Sequence, residues 1–60
     1  MENEFYIVPA LYDRDTYFLF RDYGNEIKFT VLEGKITILG KGYFVPHELI
    51  FIKQNFLLKL

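Results

Sequence analysis

Apolar side chains recur along this chain in short runs rich in β-branched and aromatic residues. Turn-forming clusters separate the runs: Tyr-Asp-Arg-Asp at 12–15, Tyr-Gly-Asn-Glu at 23–26, Leu-Glu-Gly-Lys at 32–35 and Gly-Lys-Gly at 40–42. The pattern predicts an antiparallel meander. Glu33-Gly34 suits the centre of a two-residue hairpin turn, which sets Val31 opposite Ile36 and Phe29 opposite Ile38. Gly24-Asn25 suits a second such turn, which sets Phe20 opposite Phe29 and Phe18 opposite Val31. Together the two turns gather Phe18, Phe20, Ile27, Phe29, Val31, Ile36 and Ile38 on one face. A one-residue slip at either turn would break that set. A third turn around Arg14 and Asp15 adds Phe5, Ile7, Pro9 and Leu11. Pro9 has no amide hydrogen, so the first strand is an edge strand or is bulged there.

The same register defines a second face carrying Tyr6, Val8, Ala10, Tyr12, Tyr17, Leu19, Arg21, Tyr23, Lys28, Thr30, Thr37 and Leu39. Tyr12 is expected opposite Tyr17, and Arg21 opposite Lys28. Two like charges side by side are unfavourable unless solvent, Asp22, Glu26 or an acidic partner offsets them. Tyrosine rings lose little side-chain entropy on docking and are enriched at interfaces together with arginine. Tyr6, Tyr12, Tyr17, Leu19, Arg21, Tyr23 and Lys28 are therefore the candidate partner-binding residues. The alternative is that the carboxyl-terminal segment folds over this face and makes it a second core layer. That would require partners for the buried tyrosine hydroxyls.

The last third reads differently. Residues 43–45 suit a short strand, and Val-Pro-His-Glu-Leu suits one tight 3-10 turn started by Pro46. For 49–53 a strand is the favoured reading and a helix the alternative, because Leu49, Ile52, Phe56, Leu57 and Leu60 also fit a helical stripe. Residues 54–60 are left open between the two. Ala-Leu-Tyr-Asp at 10–13 resembles the motif that opens many SH3 domains. Gly42 to Ile52, GYFVPHELIFI, resembles that family's closing element, a tight helical turn leading into the last strand. Together they cover about a third of the chain. The resemblance implies a small all-β SH3-like barrel of five to six strands. Only Tyr12 and Pro46 match positions lining that family's proline-peptide groove. The chain has no tryptophan, which that groove normally needs. Arg14 stands where a second tyrosine would follow, and Glu48-Leu49 where the family has Asn-Tyr.

Length sets a further condition. Sixty residues make one small β domain, 1–60, near the lower limit for independent folding. Domains of this size usually need disulfides, a metal or oligomerisation. With no cysteine and a single histidine, oligomerisation to a dimer or higher is the remaining route. The apolar runs are too short to span a membrane. No secretory leader is visible, so a cytoplasmic setting is expected. The net charge of −1 disfavours a duplex-DNA binder. The charge is uneven, with six acids and two bases in residues 1–26 but five bases and two acids in 27–60.

Catalytic chemistry has little to draw on. Serine and cysteine are absent, leaving Thr16, Thr30 and Thr37 as hydroxyl groups. His47 sits in the Pro46 turn. Asp13 and Asp15 could hold a hard cation, but such residues more often bond their own turn. No catalytic residue, metal ligand or cofactor is therefore assigned. The expectation is a non-enzymatic protein-binding module and homo-oligomer. The wealth of Phe, Tyr, Ile, Asn and Lys in so short a frame suggests a phage or mobile-element protein that modulates a host factor or defence enzyme. Two other readings are kept: a single-stranded nucleic-acid-binding protein, with tyrosines stacking on bases and Arg21 and Lys28 meeting phosphates, and a structural subunit of a larger assembly.

Overall fold

The computed structural model describes residues 4–22 and 24–57. It contains four antiparallel strands in the order β1-β2-β3-β4: β1 (Phe5–Pro9), β2 (Thr16–Arg21), β3 (Glu26–Leu32) and β4 (Lys35–Leu39). The sheet is open. β1 and β4 form its two edges and do not pair with each other, so the expected barrel does not close, and four strands stand among the described residues. After β4 the chain crosses one face of the sheet and forms α1 (Pro46–Ile52), which continues as a π-helical turn over Lys53–Leu57.

The β3–β4 hairpin has the expected register, with Val31 opposite Ile36 and Phe29 opposite Ile38. Glu33 and Gly34 both have positive φ, 52° and 79°, as a tight two-residue hairpin turn requires. The β2–β3 hairpin differs. Tyr17 pairs with Phe29 and Leu19 with Ile27, a slip of three positions from the expected register. The cause lies in the loop. Arg21 N–H donates to the Asn25 carbonyl and Gly24 N–H to the Arg21 carbonyl, at 3.0 and 3.1 Å. That leaves three residues between the last bonded pair, with Gly24 at φ 99° in the final place. This is the three-residue hairpin loop, which uses a positive-φ residue at its end.

A slip by an odd number turns every side chain of β2 over. Phe18 and Phe20 therefore lie on the side opposite Phe29, while Tyr17, Leu19 and Arg21 join it. The β1–β2 register also differs from expectation by three, with Ile7 opposite Leu19 and Ala10 bonded to Thr16. The two slips cancel for β1, so Phe5, Ile7 and Pro9 do share the face of Phe29. Leu11 lies in the loop before β2 instead.

The face holding Phe29 is covered by the carboxyl-terminal third. Leu19, Phe29 and Ile52 are the fully buried centre, with Phe5, Ile7, Tyr17, Val31, Ile36, Phe44 and Phe56 packed around them. Phe44 meets the Phe29 ring edge-on at 5.2 Å, and Phe51 meets Phe5 in the same way at 5.4 Å. Residues 49–52 are helix rather than the favoured strand. Val45 offers no capping side chain, but Glu48 reaches back and accepts the Val45 N–H at 3.1 Å. This is one half of a capping box. Pro46 at the first helical position supplies a preset φ.

Candidate binding surface

The structure disperses the seven sequence-predicted residues. Leu19 is fully buried in the core. Tyr17 is half-buried on the helix side, stacked on Phe29 at 5.7 Å and tilted against Phe56 at 4.7 Å. Tyr12 is 90% exposed in the loop between β1 and β2, and does not face Tyr17. Tyr23 lies outside the described residues. Only Tyr6 and Lys28 remain together on the side of the sheet away from the helix. The expected tyrosine face is therefore not assembled, because the β2–β3 loop is one residue longer than the turn that would build it.

Arg21 has a structural task instead. It does not oppose Lys28, whose partner on β2 is Phe18. Its guanidinium binds the Glu48 carboxylate through two nitrogens, Nε to Oε2 at 2.6 Å and Nη2 to Oε1 at 2.5 Å. Nη2 also donates to the Tyr43 carbonyl at 3.0 Å. The two side chains are 8% and 3% exposed. The pair joins β2 to α1 and to the segment leading into it. Fork-to-fork geometry of this kind fixes orientation as well as adding energy.

On the bare side, β1 and β2 present Tyr6, Val8, Phe18 and Phe20, and β3 and β4 present Glu26, Lys28, Thr30, Leu32, Lys35, Thr37 and Leu39. The face is thus split into an aromatic half and a largely polar half. Tyr6, 61% exposed, stacks on Phe20 with ring centres 5.3 Å apart. Phe20 in turn lies 6.1 Å from Phe18. Lys28 Nζ sits 5.7 Å over the Phe18 ring, at the seam between the halves. Antiparallel sheets often leave one face to water, but such a face normally alternates to polar side chains. Three neighbouring rings there are the departure. Sequence reasoning listed Tyr6, Val8, Lys28, Thr30, Thr37 and Leu39 for this face and missed Phe18 and Phe20. The signal that could have found them is Gly24, whose positive φ serves a three-residue loop as well as a two-residue turn.

Around the β1 edge the apolar surface continues into an open groove of about 710 Å³ between that strand and the helix. Phe5, Ile7, Phe51 and Phe56 line it, with Glu4, Tyr6 and Asn55 at its margins. A second, more polar cleft of about 310 Å³ opens beside Arg21, Lys41 and Tyr43. Among the described residues no three acidic, histidine or cysteine side chains gather as metal ligands. His47 packs its ring 5.6 Å from Phe5. No helix among the described residues is long and apolar enough to cross a membrane. Compared with protein-family models, curated proteins and solved structures, the chain matches none.

Proposed function

We propose that this chain is a non-enzymatic protein-binding module that docks through the aromatic half of its bare sheet face. The observation supporting this is the row of Tyr6, Phe20 and Phe18 on the side the helix leaves uncovered. Rings already stacked on one another lose little freedom when a partner covers them, and interface energy concentrates in such aromatic clusters. The partner would bring an apolar patch for these rings and an acidic group for Lys28. In the phage or mobile-element setting suggested by composition, that partner is a host factor or defence enzyme met in the host cytoplasm.

The test is capture from host lysate, followed by titration of the captured protein, once purified, against wild type and a Phe18→Ser/Phe20→Ser variant. We expect one partner, bound at least tenfold more weakly by the variant. Equal binding by the two proteins would sink this reading. A second reading draws on Lys28 above the Phe18 ring: single-stranded nucleic acid, with bases stacking on the rings and lysine meeting phosphate. Fluorescence titration with short oligonucleotides at low salt separates it, since that affinity must fall steeply as salt rises.

A further inference from the structure

β1 pairs on one side only. The bond from Ala10 N–H to the Thr16 carbonyl fixes the alternation along the strand. Tyr6 and Val8 exchange bonds with β2, while Phe5 and Ile7 turn their N–H and C=O groups to the outer edge. Pro9 has the same outward parity, where its missing N–H removes nothing from the ladder.

Sheet edges are usually guarded by lysine, proline, bulges or charge. β4 has Lys35 at its start, whereas β1 has Glu4 and Pro9 at its two ends only, and the Phe-Tyr-Ile-Val between them is apolar at both parities. Both flanks of that edge are apolar as well. The groove with Phe51 and Phe56 lies on one flank, and Tyr6 on its Phe20 stack lies on the other. A strand added here must carry apolar side chains at successive positions, one set for each flank. β1 itself has that pattern.

Size points the same way: a chain of sixty residues buries a small share of its surface by itself and gains most from association.

We propose that the outer edge of β1 is the two-fold interface of a homodimer, with β1 pairing antiparallel to its own copy around Tyr6. Phe5 then lies opposite the partner's Ile7, and Tyr6 opposite the partner's Tyr6. The four bonds of this register use only the outward groups of Phe5 and Ile7, and none calls on the N–H that Pro9 lacks. The axis stands perpendicular to the sheet, because antiparallel edges can meet only that way. Both helices therefore lie on one side and both bare faces on the other. The dimer does not depend on the partner reading above: Tyr6 belongs to both surfaces, but the dimer test reads the mass of the chain by itself, with no partner present, and leaves Phe18 and Phe20 unchanged.

Sedimentation equilibrium on the whole chain tests it, with circular dichroism confirming that each variant is folded. Wild type should have twice the 7.2 kDa chain mass at micromolar to millimolar concentration. Tyr6→Lys alone and Tyr6→Glu alone should each halve that mass, because like charges then face each other across the axis. Mixing the two variants should restore the dimer. In wild type, amide exchange at Phe5 and Ile7 should be protected in the dimer and lost on dilution, while Tyr6 and Val8 stay protected throughout. A monomer across that range, a polymer, a dimer indifferent to both variants, or fast exchange at Phe5 and Ile7 in the dimer would overturn the proposal.

Discussion

Arg21 and Glu48 lie 27 positions apart and meet with almost no exposure to water. Removing one partner of such a pair leaves the other charge buried without its counter-ion, at a cost of about 3–5 kcal/mol. A chain of this size has a total stability of only about 3–9 kcal/mol. Arg21→Met or Glu48→Leu alone is therefore expected to bring the protein close to unfolding. The double variant should recover most of the loss, since a matched apolar pair carries no stranded charge. Urea denaturation of the three variants checks this. Glu33 gives the opposite sign. Its φ of 52° lies in the left-handed region, which asparagine tolerates far better than glutamate. Glu33→Asn should raise stability by about 0.5–1 kcal/mol, read as an upward shift of about 2–8 °C in thermal unfolding.

At the scale of elements, the two faces of β2 make the sharpest contrast. Leu19→Ala should cost about 2–5 kcal/mol, whereas Phe20→Ser, half-buried on the bare face, should cost less. The register expected from sequence demands the reverse order, so chemical denaturation of these two variants decides between them. The β3–β4 hairpin was legible because Glu33-Gly34 suits a single turn type, and two positive φ angles follow from it. The β2–β3 hairpin was not, because Gly24 satisfies two loop lengths that differ by one residue, and the alternation of β2 suits either face. For the helix, the obstacle was Val45, a poor cap by side chain. The group that satisfies its amide comes from Glu48, three positions later, and that same carboxylate is held by Arg21 from β2. A contact made across the fold thus decided a local choice, and no reading of neighbouring residues could have weighed it. The candidate surface inherited the fate of β2: Tyr6 and Lys28 survived because their strands kept the expected faces.

For the whole molecule, size and shape act together. One short helical segment covers one face of a four-stranded sheet, and its fully buried centre among the described residues is Leu19, Phe29 and Ile52. If the β1 edges pair as proposed, folding and association are linked, and the melting temperature must rise with protein concentration. A tenfold increase in concentration should move thermal unfolding of wild type upward and leave Tyr6→Lys where it was. Differential scanning calorimetry at several concentrations measures both. Pairing would also set the two aromatic clusters side by side on one surface, twice the width available to a single chain.

The segment between β1 and β2 carries its own consequence. Leu11 and Tyr12, 82% and 90% exposed, stand at the most accessible apolar point among the described residues. Chymotrypsin should nick the native chain there before anywhere else among the described residues. Leu19, Phe29 and Ile52 all lie beyond that cut, so the larger fragment retains the fully buried centre of the core. The first strand would then be a detachable part, held by its ladder to β2 and by the packing of Phe5 and Ile7, and replaceable by a synthetic peptide of the same sequence. A chain cut in this way could be rebuilt from two pieces, each made and altered separately.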